Sequence, residues 1–142
     1  MIYFALSIPI IVALLAQLTK VFTDMVKRGF SFESFYAYGG IPSGHAAFVS
    51  STALLTGLLT SFSSPVFMLS VVLAIVVIRD AVSLRNYIGL QARTINKIAT
   101  TLPDTEEYKL PIMQERVGHT PLEVTAGIFF GLIITYFLFQ LV

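Results

Sequence analysis

The chain has 142 residues, of which 56% are hydrophobic and only 12% are charged, and its mean hydropathy is +0.82. A soluble domain carries about 25% charged residues, so this composition excludes an ordinary soluble protein and predicts an integral membrane protein. The net charge of +1 gives no indication of nucleic-acid binding, and the absence of cysteine excludes disulfides and thiolate metal sites. We therefore expect a single membrane-embedded domain, residues 1–142, without nucleic acid, metal or cofactor.

Four apolar segments are long enough, or nearly long enough, to cross a bilayer as helices of about 20 residues. The first, Ile2–Phe22, lacks a positively charged start and a cleavage signal, so we interpret it as a retained span and not as a signal peptide. His45–Phe62 forms the second span, and the polar turn SFSSP separates it from a short third span, Val66–Ile78. Pro121–Val142 forms the fourth. The predicted fold class is therefore all-α, a polytopic membrane bundle of about four transmembrane helices.

The third span is short and leads directly into Arg79 and Asp80. As a helix it covers only about 20 Å, so both groups are expected below the membrane surface, where ionisable side chains pair or belong to a site. Two alternatives are equally open for Arg79 and Asp80. They form a structural ion pair, with each other or with Arg85, or they belong to a functional site. Apolar residues then continue at helical spacing, which predicts that the third helix extends past the bilayer or bends onto its surface: Leu84, Ile88, Ile95 and Ile98.

All nine lysines and arginines fall on one side of a four-span bundle. By the positive-inside rule that side faces the cytoplasm, so both chain termini are predicted outside the cell membrane. Span four also contains GIFFG, from Gly127 to Gly131, a small-xxx-small pattern that permits close helix approach. The pattern fits packing within one chain and packing between two copies, so a homodimer is one of two alternatives.

The turn in GGIPSGHAA opens the second span at the predicted cytoplasmic face. A helix N-terminus presents unpaired N–H groups and a positive dipole end, which suit a phosphate. Pro42 sets the entry of the chain, Ser43 can cap the helix, and Gly44 lets the backbone approach a ligand. His45 then lies in the first turn, with a side chain that titrates near neutral pH.

The second histidine precedes the fourth span in ERVGHTPLEVTAG. Thr120 is a candidate N-cap, Pro121 fits the first helical position, and Glu123 completes a capping box. His119 therefore also lies beside a helix N-terminus on the predicted cytoplasmic face. Glu123 is placed to hold the tautomer of His119, although the capping box is an equally good reason for its presence.

Two histidines among cations and positive helix ends suit phosphoryl transfer through a phosphohistidine. One imidazole attacks phosphorus while the other protonates the leaving oxygen, and arginine and lysine neutralise the phosphate oxygens. The topology brings the required groups to one membrane face. The candidate phosphate-binding and supporting residues are Lys20, Ser43, Gly44, Arg79, Asp80, Arg85 and Arg116.

Three segments, in this order, resemble the phosphatidic acid phosphatase type 2 superfamily, and most closely its divergent membrane branch. They are GGIPSGHAA, RDAVSLRNYIGLQARTIN and GHTPLEVTAG. The resemblance implies that His45 is the general acid and His119 the nucleophile, with Glu123 where the superfamily has an aspartate. Lys20 matches the lysine of the first superfamily motif, but Arg28 is not followed by proline. Arg116 lies three residues before His119, where the superfamily has a Ser-Arg pair farther upstream, so Arg79 or Arg85 is the alternative phosphate-binding arginine.

The function expected from these residues is a metal-independent phosphatase for a lipid phosphate monoester or pyrophosphate at the cytoplasmic leaflet. Because two superfamily motifs are altered, a catalytically inactive protein that binds phosphate or anionic lipid, or acts as a scaffold, is the main alternative. A small transporter or channel subunit built around Arg79 and Asp80 is a third, disfavoured because the chain shows no inverted repeat.

Overall fold

A computed structural model describes residues 2–28, 40–101, 111–115 and 117–141 and, within the first helix, the side chains of residues 5–26. Over these ranges all regular structure is helical, which confirms the predicted all-α membrane bundle. The helices are α1 (Ile2–Arg28), α2 (Gly44–Leu59), α3 (Pro65–Arg79), α4 (Arg85–Ala99) and α5 (Pro121–Phe139). A π-helical turn, Asp80–Leu84, joins α3 to α4.

The starts of α2, α3 and α5 follow from hydroxyl caps. The side chains of Ser43, Ser64 and Thr120 each accept a hydrogen bond from the backbone N–H three residues later. Pro65 and Pro121 occupy the first helical position, where a missing N–H costs nothing. The predicted capping box is present, because the Glu123 carboxylate also accepts from the Thr120 N–H at 3.2 Å. These caps fix where the three helices begin. They therefore also fix where the candidate site residues at the helix starts lie.

Three stretches are long and apolar enough to cross a membrane by length and composition: residues 5–26, Pro65–Ala99 and Pro121–Phe139. The second predicted span, α2, is apolar but shorter, since its 16 residues reach only about 24 Å. The predicted number of about four spans therefore includes one short helix. Large apolar side chains such as Leu14, Leu69 and Leu73 are exposed on the outer faces of α1 and α3, as expected for helices that face lipid.

Helix α2 is the centre of the bundle and packs against α1, α3 and α5. Its partner α5 runs parallel to it, and small residues spaced four apart face each other along both helices: Ser43 with Gly127, Ala47 with Gly131, and Ser51 with Thr135. A Cβ atom on either glycine would lie 2.5 Å from a backbone oxygen of α2. The small-xxx-small pattern of the fourth span therefore packs within the chain.

The apolar core lies on the other side of α2, toward the first helix. Ala5, Ile8, Val12 and Ala16 follow one face of α1 and are fully buried. They pack with Leu55 of α2 and with residues near the end of α5. Because α1 contacts both α2 and α5, it holds the parallel helix pair in place.

Helix α4 continues α3 without a break, so one helical stretch runs from Pro65 to Ala99. The backbone is right-handed helical at Arg79 and Arg85, which flank the π-helical turn. It is also right-handed helical at the first and last residues of that turn, Asp80 and Leu84. This stretch of 35 residues is about 52 Å long, well beyond the roughly 30 Å of a bilayer core. The third helix therefore continues well past Arg79 and Asp80, as the sequence predicts.

The four helical segments meet at one end of the bundle. The Ser43 N–H donates to the Glu123 carbonyl at 3.0 Å, which joins the starts of α2 and α5. The His119 N–H donates to the Ala81 carbonyl at 3.1 Å, which adds the α3–α4 junction. The side chain of Lys20, on α1, packs against Gly40 just before α2. All predicted site residues in the described part of the chain belong to this end.

Candidate functional site

The two histidines face each other at this end of the bundle. His45 lies in the first turn of α2, and His119 lies two residues before α5. Their ring centroids are 6.1 Å apart, and the ring planes meet at 61°. His119 is only 7% exposed, whereas His45 is open to its surroundings. The structure thus brings together one buried and one accessible imidazole.

The buried imidazole is held by a carboxylate. The distance from His119 Nδ1 to Glu123 Oε2 is 3.0 Å, and both side chains are almost fully buried. The same carboxylate accepts hydrogen bonds from the backbone N–H groups of Thr120 and Gly40. Assigned from this network, the imidazole carries its proton on Nδ1, because a carboxylate cannot donate to it. The lone pair is then on Nε2, the nitrogen available for attack.

The backbone of His119 is held by the α3–α4 junction. Besides the bond from its N–H to Ala81, its carbonyl accepts from the Asn86 side-chain amide at 3.3 Å. A Cβ on Gly118 would collide with the Asn86 side chain, so glycine is needed for this approach. Asn86 was not predicted as a site residue, although it lies within the segment RDAVSLRNYIGLQARTIN. Its partner is a backbone group, which residue spacing cannot identify.

Two of the predicted cations lie near the histidines. Arg85 and Lys20 both interact electrostatically with His45, as does Asp80. Arg85 donates from Nε to Asp80 Oδ2 at 3.1 Å, one of the pairings expected from the sequence. Lys20 is 7% exposed.

Of the remaining two predicted arginines, only Arg79 belongs to the described residues. Arg79 is exposed, and it is absent from the charged groups that act on His45 within the described ranges. Arg116 lies outside the described residues. Lys20 and Arg85 are therefore the cations that the described structure offers to an anion at the histidines.

The start of α2 has open space in front of it. Among the described residues, no atom lies within 4 Å of the position that a Cβ on Gly44 would take, which leaves room there for a ligand. The first N–H groups of a helix have no partner inside the helix, and those of Gly44 and His45 are in this position. Because α2 and α5 are parallel, the positive ends of both helix dipoles point to the same region. This arrangement suits an oxyanion.

A cavity of about 420 Å³ lies beside the histidine pair, between α4 and the segment that leads into α5. Thr120 and Glu123 line its inner wall, and Arg93 and Glu115 line its outer part. Arg93 Nε is 3.2 Å from Glu115 Oε2. Hydrogen bonds from Asn96 and then from Arg93 lower the pKa of the Glu115 carboxyl, so this group stays ionised in the neutral range.

The segment before α5 is fastened to α4. The Asn96 amide donates to the Met113 carbonyl and accepts from the Met113 N–H, each at 2.8 Å. Gly89 lies directly against the Glu115 carbonyl, where a Cβ would not fit. Among the described residues, no group of three or more His, Cys, Asp or Glu side chains is arranged to hold a metal ion.

These features define a helical membrane protein with a histidine pair at the ends of two parallel helices. A family model described as the divergent PAP2 family matches residues 3–134, so the chain belongs to the divergent PAP2 family. This confirms the resemblance that the three sequence segments predicted. The chain is also similar to the uncharacterized membrane protein YuiD of Bacillus subtilis (strain 168), with 33% identity over 134 residues and 84% of each chain covered. No solved structure matches the chain.

Proposed function

We propose that the protein is a metal-independent phosphatase that removes phosphate from a lipid phosphate monoester or pyrophosphate through a phosphohistidine. The observation that carries the proposal is the pair His45 and His119, 6.1 Å apart, with the Glu123 carboxylate behind the buried ring. Attack requires reacting atoms about 3–3.5 Å apart, and proton transfer requires about 2.6–3.2 Å. Both rings are close enough to reach one phosphate group within these limits.

The reaction has two steps with the histidines in complementary roles. In the first, Nε2 of His119 attacks phosphorus, the bond from phosphorus to the leaving oxygen breaks, and His45 gives that oxygen a proton. In the second, His45 takes a proton from water as the water oxygen attacks phosphorus, and the N–P bond breaks. The sum is hydrolysis of the lipid phosphate to a lipid alcohol and inorganic phosphate, or of a pyrophosphate to a monophosphate and phosphate.

The charge that develops on phosphate is met by groups already in place. Lys20 and Arg85 supply positive charge near His45. The N–H groups at Gly44 and His45 can donate to phosphate oxygens without rearrangement. Ser43 is fully buried and holds the helix start through its hydrogen bond to Ala46 N–H, and Asp80 holds Arg85. We assign these last two residues positioning roles.

The proposed substrate is a membrane lipid because the site lies at the end of a membrane bundle. Phosphatidate, phosphatidylglycerophosphate and isoprenyl phosphates share the required headgroup chemistry. The concentration of lysine and arginine at this end favours the cytoplasmic leaflet, with both termini outside.

Phosphate release in detergent, measured across a panel of lipid phosphates, tests the proposal. His119→Ala is expected to abolish release, and His45→Ala is expected to slow it about 10²- to 10⁴-fold, the usual contribution of a general acid. Lys97→Ala is the matched control, because it removes an exposed cation from α4 away from the histidines and should leave the rate unchanged. Release by the His119 variant at the parent rate would show that His119 is not the nucleophile.

A protein that binds an anionic headgroup without turnover is the second candidate. This candidate is favoured by the ion pair between Arg85 and Asp80, because the carboxylate neutralises part of the positive charge that catalysis would need. Titration with phosphate and vanadate separates the two functions. Tight vanadate binding with no hydrolysis of any lipid in the panel would support the binding protein and reject the phosphatase.

A further inference from the structure

Helix α4 has two different faces, and only one is covered by the described part of the chain. Gly89, Arg93 and Asn96 face the segment before α5 and hold it. The opposite face is apolar and exposed to between 44% and 60%: Leu84, Ile88, Ile95 and Ile98. An apolar stripe on a helix with so many polar residues indicates a partner surface.

The spacing of the stripe is that of a coiled-coil seam. With Gln91 included, its residues follow one another at steps of four, three, four and three, as a and d positions of heptads do. Ile88 and Ile95 take the a positions and Leu84 a d position, a combination that favours two parallel strands, and Gln91 and Ile98 take the other two d positions. Of the charged residues of the same helix, Arg93 and Lys97 fall at outer positions. Arg85 falls beside the seam, where its pairing with Asp80 of the same copy limits repulsion between two copies.

The stripe continues along α3. Four exposed residues there have the same alternating spacing: Val66, Leu69, Leu73 and Val76. The π-helical turn Asp80–Leu84 adds one residue between the two halves, which brings the stripe of α3 into line with that of α4. The two halves together span a helix of about 52 Å, long enough to bury the roughly 1,200 Å² that a stable interface needs.

The two halves of the stripe have different neighbours. Ala81 is bonded to His119, so it lies at the level of the start of α5. In the described part of the chain α3 packs against α2, whereas α4 follows the level of Ala81 and packs on the π-helical turn and on the segment before α5. The apolar face of α4 is therefore the half of the stripe that a protein partner would cover.

We propose that a second copy of this chain covers the stripe and that the protein is a parallel homodimer joined along α3 and α4. A two-fold axis along the membrane normal places each seam residue opposite the same residue of the second copy. Gln91, the polar residue of the seam, meets its counterpart, and their amides hydrogen-bond and fix the register. The two histidine pairs then face the same side of the membrane and lie outside the interface.

Disulfide cross-linking in native membranes tests the dimer, since the chain has no cysteine of its own. Gln91→Cys places a thiol in the seam without removing an apolar contact, and Arg93→Cys, two residues later on the opposite face, is the matched control. Mild oxidation is expected to give at least fivefold more covalent dimer for the variant at 91 than for the variant at 93. Equal yields, or no dimer from the variant at 91, would overturn the proposal.

If no dimer forms, a fluorescent label on the Gln91→Cys variant shows what covers the apolar face of α4. Quenching by a quencher attached to lipid would mean that the membrane surface covers α4. Protection from a water-soluble thiol reagent, without quenching or cross-linking, would mean that another part of the same chain covers it. Either result rejects the dimer. Neither experiment reads phosphate release, so a failure here is distinct from a failure of the proposed phosphatase.

Discussion

Replacing Gly127 by alanine should separate the two helices that carry the histidines. A Cβ at this position would lie 2.5 Å from the Ser43 carbonyl oxygen and 3.0 Å from Ala46 Cβ, whereas ordinary contact begins at 3.4 Å. The first of these neighbours is backbone, which cannot rotate away, so α2 and α5 must move apart by nearly an ångström. Such overpacking costs about 1–3 kcal/mol of unfolding free energy.

The same displacement should reduce catalysis more than it reduces stability. Ser43 caps the helix that begins with Gly44 and His45, so moving its backbone moves His45 relative to His119. A misplacement of about 1 Å can cost a factor of roughly 100 in rate. We therefore expect phosphate release to fall by about that factor while most of the protein remains folded.

Unfolding in a titration with a denaturing detergent, followed by helical circular dichroism, measures the first effect, and phosphate release measures the second. Gly44→Ala is the control for stability, because the same methyl group at the start of α2 meets no atom of the described residues within 4 Å. Its unfolding free energy should equal or slightly exceed that of the parent. If Gly127→Ala unfolded like the parent, close packing of α2 on α5 at this point would be refuted.

Two further changes test how His119 is held. Glu123→Gln keeps the size of the side chain but removes the charge that holds the imidazole, and a charged hydrogen bond of about 1.5–3 kcal/mol predicts a 10- to 100-fold lower kcat with KM little changed. An unchanged kcat would mean that Glu123 caps α5 but does not assist His119 in catalysis. Asn86→Ala leaves the His119 carbonyl without its side-chain partner, and the loss of about 1 kcal/mol predicts a roughly fivefold lower rate in the phosphate-release assay. A parent-like rate would show that the bond from the His119 N–H to the Ala81 carbonyl is sufficient.

The helices were largely predictable because each has a local cause. The apolar runs of α1, α2 and α5 determine that these segments are helical, and hydroxyl caps followed by proline place the starts of α3 and α5. The third helix was expected to go on past Asp80, and it does so. The π-helical turn was not predicted, because its extra residue changes the apolar spacing at one point only, between Val76 and Leu84.

The arrangement of the site was predictable only in part. The two histidines were expected to meet because both precede or begin helices on one membrane face, and their ring centroids are 6.1 Å apart. The predicted topology makes α2 and α5 parallel, but their direct packing on each other was not predicted, since small residues spaced four apart fit a partner helix in the same chain or in another. Asn86 was missed because its bond is to a backbone carbonyl, and a backbone carbonyl has no sequence signature.

The parallel pair α2 and α5 has a consequence for biosynthesis. In the described part of the chain α2 precedes α3 and α4, and these must be made before α5 can lie beside α2. His45 is therefore synthesised well before His119 and Glu123, which arrive only with the start of α5. A nascent chain, or one truncated before residue 119, holds half of the machinery, so the site can form only after α5 has entered the bundle.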